Sequence, residues 1–140
     1  MYFEPKLDDK GRVPLPKGFR DRFRAGIVLS RGYERCLLAY PRDEWLKAEE
    51  VYASMPNDST EVRRVVRYRR LYAWEGDVDS QGRFSIPVHL RQQVGIRDAV
   101  VIIDAHARYL EIWNPEAFKE EEELMNEQAP QLAGTLKLGQ

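Results

Sequence analysis

One short phrase occurs twice in this chain, and the repetition constrains the fold more than any other feature of the sequence. The first copy reads Leu7-Asp8-Asp9-Lys10-Gly11-Arg12-Val13-Pro14-Leu15-Pro16. The second reads Val78-Asp79-Ser80-Gln81-Gly82-Arg83-Phe84-Ser85-Ile86-Pro87. Arg83 lies 71 positions after Arg12, and the same offset carries Phe19-Arg20 onto Leu90-Arg91. A single Asp-x-x-Gly is ordinary turn chemistry: the Asp side chain bonds the backbone of its own turn, and glycine takes a positive φ without steric penalty. Two copies in register argue for a pair of equivalent halves. They do not argue for a solenoid, which needs more units to bury its faces.

Each half reads in the same order. In the first, residues 2–8 form a short strand ending at the turn Asp8-Asp9-Lys10-Gly11, and Val13 and Leu15 alternate on one face of the next strand. Pro16 opens a short helix over 17–23 that buries Phe19 and Phe23, and Gly26 closes it. Two apolar runs, 27–30 and 36–40, flank a hairpin loop at 31–35, and a helix follows from Arg42 to about Ala53. A further helix starts at Asp58, which forms a capping box with Glu61. Its buried face is Val62, Val65, Val66 and Tyr72; Arg63, Arg64, Arg67 and Arg70 point outward and Arg69 falls between. The second half repeats the pattern: strand 72–78, the turn, Phe84 and Ile86, a helix at 88–94, strands 99–103 and 109–113 around a loop at 104–108, and a helix capped by Asn114-Pro115. From Pro130 onward no period is visible, and the last ten or so residues read as a loose tail. The division is 2–49 for the first module, 50–73 for a connecting segment, 74–121 for the second module and 122–140 for a helix end and tail. Four short strands cannot cover both faces alone, so the expected fold is α+β and β-rich. Two ββαββα repeats close into one pseudo-two-fold barrel with flanking helices.

Composition narrows the function classes. The chain has 140 residues, 43% hydrophobic and 32% charged, as in an ordinary globular domain. No stretch approaches the ~18–20 apolar residues of a membrane span, and no basic region followed by an apolar run opens the chain. Cys36 is the only cysteine, and His89 and His106 are far apart, so no metal or cofactor is expected. Neither histidine has a carboxylate or nucleophile at a persuasive spacing, so the chain is not expected to be an enzyme, and no small-molecule substrate is expected. Trp45, Trp74 and Trp113 read as core or interface aromatics. Net charge is −1, but residues 10–35 are basic and residues 111–127 acidic. Local potential, not net charge, attracts phosphate.

The turns are where such potential can act. Gly11-Arg12 and Gly82-Arg83 put an arginine just past each turn, with Lys10 and Gln81 beside them. Arginine grips phosphate and reads guanine with two parallel bonds, and glutamine reads adenine. Asp8, Gly11, Asp79 and Gly82 support the turns, while Lys6, Arg20 and Arg91 are candidates for additional phosphate contacts. The competing reading is that each arginine pairs with its own aspartate and only stiffens the turn. A repeated basic turn is nonetheless what a two-fold contact with a duplex requires.

These two phrases, with Glu111-Ile112-Trp113-Asn114-Pro115 after them, resemble the MraZ family of bacterial transcriptional regulators over roughly residues 2–125. The resemblance implies two tandem SpoVT-AbrB modules in a swapped-hairpin barrel and a ring-like homo-oligomer. It implies a cytoplasmic, nucleoid-associated protein that binds double-stranded DNA and touches no membrane. Such proteins bind repeated G-rich boxes upstream of the division and cell-wall gene cluster, their own gene included, and usually repress it. The implied DNA contacts are Lys10 and Arg12 in the first turn and Arg83 in the second. Gln81 stands where the first turn has Lys10, so the two turns are not equivalent. An alternative is an AbrB-like antitoxin or interaction module whose acidic C-terminal helix binds a protein partner.

Overall fold

The computed structural model describes residues 2–138. Its strands are β1 (Tyr2–Phe3), β2 (Arg12–Pro14), β3 (Ile27–Arg31), β4 (Cys36–Pro41), β5 (Trp74–Gly76), β6 (Arg83–Ser85), β7 (Val101–His106) and β8 (Tyr109–Trp113). Its α-helices are α1 (Arg42–Ala53), α2 (Thr60–Leu71), α3 (Val88–Val94) and α4 (Pro115–Thr135). Lys17–Phe23, the counterpart of α3 in the repeat, is a 3₁₀ helix.

The two halves exchange strands. Six strands form one antiparallel sheet in the order β1-β7-β8-β4-β3-β5. β1, from the first half, pairs with β7 of the second (Tyr2↔Ile103), and β5, which opens the second half, pairs with β3 of the first (Leu29↔Trp74). β4 and β8 meet in the middle, from Cys36↔Trp113 to Ala39↔Leu110, so the pseudo-two-fold axis runs between them. β2 and β6 pair only with each other, Val13 opposite Phe84.

The α+β class and the interlocked repeats therefore hold, but backbone pairing does not close the expected barrel. β1 and β5 end the sheet, and β2–β6 is a separate ribbon. The ribbon strands are three residues each, and Pro14 has no N–H to extend a ladder. Side chains complete the enclosure instead. Val13, Leu15, Phe84 and Ile86 point inward at alternate positions and join Ile27, Leu29, Leu37, Ile102, Leu110 and Ile112 in a single core drawn from both halves.

Local differences from the sequence reading have identifiable causes. The strand expected over 2–8 is reduced to Tyr2–Phe3 plus a lone bridge between Lys6 and Ala99, because Pro5 interrupts the ladder. The loop expected at 104–108 shortens as β7 runs on to His106, with a register shift between Ile103 and His106. α2 is capped by Ser59, whose hydroxyl accepts the Val62 N–H at 3.4 Å, and not by Asp58. On α2 it is Arg69, 6% exposed, that is buried, whereas Val65 is exposed. The loose tail expected from Pro130 is instead helix to Thr135: Met125, Gln128, Ala129, Gln131, Leu132 and Ala133 are good helix formers that carry the helix through the proline. Residues 139 and 140 lie outside the described residues. α1 and α4 run unbroken across positions 49–50 and 121–122, where the module limits were drawn.

Phe84 is 1% exposed and sits where ribbon and sheet meet. Phe84→Ala is expected to cost about 3–5 kcal/mol in chemical denaturation. Because the core is shared, far-UV circular dichroism and tryptophan fluorescence should report one coincident transition. Two separated transitions would show that the halves fold independently.

Candidate nucleic-acid interface

The two turns are built identically. Asp8 Oδ1 accepts the backbone N–H groups of Lys10 and Arg12, both at 2.9 Å, and Asp79 Oδ1 accepts those of Gln81 and Arg83, also at 2.9 Å. The Gly11 N–H closes on the Asp8 carbonyl at 3.0 Å and the Gly82 N–H on the Asp79 carbonyl at 2.9 Å. Gly11 and Gly82 sit at φ +74° and +77°, where an L side chain is strained. The second aspartate oxygen takes the arginine: Arg12 Nε to Asp8 Oδ2 at 2.6 Å, Arg83 Nε to Asp79 Oδ2 at 2.9 Å.

Pairing of β2 with β6 brings the turns together, and each grips the other. The Leu15 N–H donates to the Gly82 carbonyl at 2.8 Å and the Ile86 N–H to the Gly11 carbonyl at 3.0 Å. The guanidinium of Arg91 lies 3.0 Å from where a Cβ on Gly11 would stand, and Arg20 occupies the corresponding space over Gly82. These arginines are anchored in their own halves, Arg91 Nε on the Ile86 carbonyl at 2.9 Å and Arg20 Nε on the Leu15 carbonyl at 3.4 Å. Arg83 Nη1 also reaches Asp8 Oδ2 at 3.8 Å, so Arg12 and Arg83 converge on one carboxylate oxygen.

The turn-stiffening contact leaves the outer edge of each arginine free. Each of Arg12 and Arg83 spends Nε on its own aspartate and keeps about three-tenths of its side chain in solvent. Among the described residues, neither makes a protein hydrogen bond from its Nη atoms. The Nη edge is the one that bonds guanine or a phosphate. Lys10 and Gln81 are exposed at the turn tips. Lys6 is exposed next to its bridge with Ala99. Sequence reading missed the second role of Arg20 and Arg91, the packing across the opposite glycines, although the repeat's register contained the signal. Both aspartates are held below the ordinary carboxylate range, chiefly by the backbone N–H of Arg12 for Asp8 and of Arg83 for Asp79.

Cys36 is fully buried and its thiol is pushed up to about 12 by burial, so it is not a nucleophile. Trp45 and Trp113 are buried and Trp74 packs against the core. Among the described residues no group of three or more His, Cys, Asp or Glu side chains is placed to hold a metal, and no helix is long and apolar enough to cross a membrane.

Paired Asp-x-x-Gly-Arg turns on an interlocked double module define a two-module, β-rich protein with a basic double turn. The family model described as "MraZ protein, putative antitoxin-like" matches residues 2–68 and 71–134. A protein of Dehalococcoides mccartyi named "Transcriptional regulator MraZ" is 37% identical over 136 residues, which cover 96% of this chain and 95% of that protein. Proteins of the same name from Thermomicrobium roseum and Roseiflexus castenholzii are 36% and 38% identical over 137 and 113 residues, covering 96% and 81% of this chain and 94% and 78% of theirs. The chain belongs to the MraZ family. Its named relatives are regulators of transcription and not enzymes.

Two outcomes follow for the turns. Gly82→Ala places a methyl group against Arg20 at a positive φ and should lower stability by more than ~1 kcal/mol. Gly18→Ala, with nothing within 4 Å, should change it by less than ~0.5 kcal/mol in the same denaturant titration. Because Asp8 and Asp79 are depressed in the folded chain, the unfolded chain binds more protons in acid. Their contribution is complete above the unfolded carboxylate value of about 3.9 and is lost as pH falls through the folded values. The double variant Asp8→Asn, Asp79→Asn should therefore show a flatter loss of stability below about pH 4 in acid titration followed by circular dichroism.

Proposed function

We propose that this chain is a sequence-specific DNA-binding regulator of transcription that reads duplex DNA with its paired turns. The observation that carries the reading is the convergence of Arg12 and Arg83 on Asp8, which sets two guanidinium edges side by side on one ribbon. Lys10, Arg20 and Arg91 add positive charge around them, and Gln81 gives the second turn an adenine-compatible tip. Lys6, Arg20 and Arg91 serve phosphates where their free edges reach the backbone. The targets are repeated G-rich boxes upstream of its own division and cell-wall gene cluster, which it represses, and the protein works in the cytoplasm at the nucleoid. Several copies form a ring, so modest contacts at adjacent boxes combine into avid binding. The family resemblance and the relatives' name support this reading.

A protein-partner reading keeps one specific support. Past Phe118 nearly all of α4 is exposed, and it carries Leu124, Met125 and Leu132 along with its glutamates. A second protein co-purifying through that helix would favour it.

The test is binding of the purified protein to the DNA upstream of its own gene against scrambled DNA, at two salt concentrations. Arg12→Ala and Arg83→Ala should each weaken specific binding by about 1–3 kcal/mol while leaving the far-UV spectrum unchanged. Lys10→Ala should weaken binding to all sequences and reduce the salt slope by about 1. Wild-type affinity in both arginine variants would return those side chains to a purely turn-stiffening role.

A further inference from the structure

Arg69 is the one charged residue among the described residues that is buried. Its guanidinium lies over three rings, 4.0 Å from the centroid of Tyr52, 4.6 Å from Trp45 and 5.9 Å from Tyr40. Nη2 donates to Glu49 Oε1 at 3.3 Å, and Nε is buried with no partner. Glu49 is itself shared, since its Oε2 accepts from Arg70 Nε at 3.0 Å. One carboxylate therefore answers two guanidinium groups, and most of Arg69's five N–H donors have no protein acceptor. Buried donors are normally satisfied, so this is a guanidinium with capacity to spare.

Arg69 lines a cleft of about 260 Å³ between α1, α2 and the β7–β8 hairpin. Val51, Tyr52, Met55 and Tyr109 supply apolar and aromatic wall, and Arg108 supplies a second cation. Val51 and Met55 are 55% and 44% exposed at the mouth. On the hairpin side His106 stacks flat on Tyr109, centroids 4.5 Å apart. Among the described residues no carboxylate lines this cleft, and the ones close by are Glu49 on Arg69 itself and Glu34 and Glu111 in the adjoining groove that Arg69, Tyr40, Tyr52 and Tyr109 also line. An apolar cleft with a few convergent polar groups is the general form of a small-molecule site, and a carboxylate matches the planar fork of a guanidinium. The volume lies just below the ~300–1,000 Å³ of sites for drug-sized ligands, which suits one ring or a branched alkyl group carrying one acid function.

We propose that this cleft binds a small aromatic or branched-chain carboxylate. The carboxylate sits toward Arg69 and Arg108, and the apolar body rests on Tyr52, Tyr109 and the Val51–Met55 edge. The walls come from both halves of the chain and from the helices that connect them. The site stands independently of the DNA-binding reading, because its test measures ligand binding directly.

The experiment titrates the full chain with benzoate, phenylacetate and 4-methylpentanoate by protein-observed NMR, with phenylacetamide as the uncharged control. At least one carboxylate should bind saturably with a Kd of about 1 mM or tighter, and phenylacetamide at least ~10-fold more weakly. Arg108→Ala should weaken that carboxylate about 10-fold. Val51→Trp, which fills the mouth from an exposed position, should abolish binding while the far-UV spectrum and thermal midpoint stay unchanged. Arg69→Ala removes a buried partner of Glu49, so the two exposed positions carry the test. No saturable binding of any of the three acids by about 10 mM overturns the proposal, as does equal binding of the amide or unchanged binding to Val51→Trp. A wild-type chain that binds none of the acids, while Val51→Trp alters its assembly size in sedimentation, would give the cleft to a second copy of the chain.

Discussion

Two backbone hydrogen bonds, Leu15 N–H to the Gly82 carbonyl and Ile86 N–H to the Gly11 carbonyl, fix the relation of one half of this molecule to the other at the paired turns. Each turn is stiffened internally by an aspartate and then tied to the strand that leaves its counterpart. The arginines of the helices behind them, Arg20 and Arg91, occupy the room that the absent Cβ atoms leave. Glycine is required at each turn for its positive φ, and its missing Cβ leaves the room the opposite arginine fills. The positions of Arg12 and Arg83 follow from that frame: their Nε atoms are committed to the turn, and only their outer edges are left to meet another molecule.

Much of this was legible in the sequence because it is local or repeated. The turns, α1, α3 and the 3₁₀ helix, the β3–β4 and β7–β8 strand pairs and the Asn114 cap all follow from short-range chemistry, and the constant offset revealed the pseudo-symmetry. What was not legible was which strand finds which. Nothing near Tyr2 or Trp74 says that β1 belongs beside β7 and β5 beside β3, because exchange is decided by the shared core and not by any local pattern. Closure failed for a related reason: strands of three residues cannot offer ladders long enough to seal the sheet, and side chains do the sealing.

Arg69 shows a different limit. Read from the sequence, Arg69 falls between the two faces of α2, although Val62, Val66 and Arg69 stand at the spacing of one helical face. Period prevailed because Tyr40, Trp45 and Tyr52, from β4 and α1, supply ring faces for the cation, and Glu49 a carboxylate. None of those partners is within reach of α2 in the sequence. At the turns the two readings of the arginines were posed as alternatives, and the geometry makes them compatible: each Nε is committed to its aspartate while the Nη edge stays free of protein hydrogen bonds among the described residues. Pro130 misled in the opposite sense: a strong helix breaker by its own chemistry, it stands inside α4.

The exchange of strands also sets an order of events during synthesis. Tyr2 pairs with Ile103, so β1 has no partner until about a hundred further residues have left the ribosome. At ~5–20 residues per second that is roughly 5–20 seconds of waiting. Until residue 76 has emerged, β3 likewise lacks the neighbour that Trp74–Gly76 will later provide. The nascent first half is therefore an incomplete sheet with open edges, and its natural hazard is pairing with the same segment of a chain emerging nearby. A tandem chain keeps its correct partner tethered, which turns a concentration-dependent assembly step into an intramolecular one.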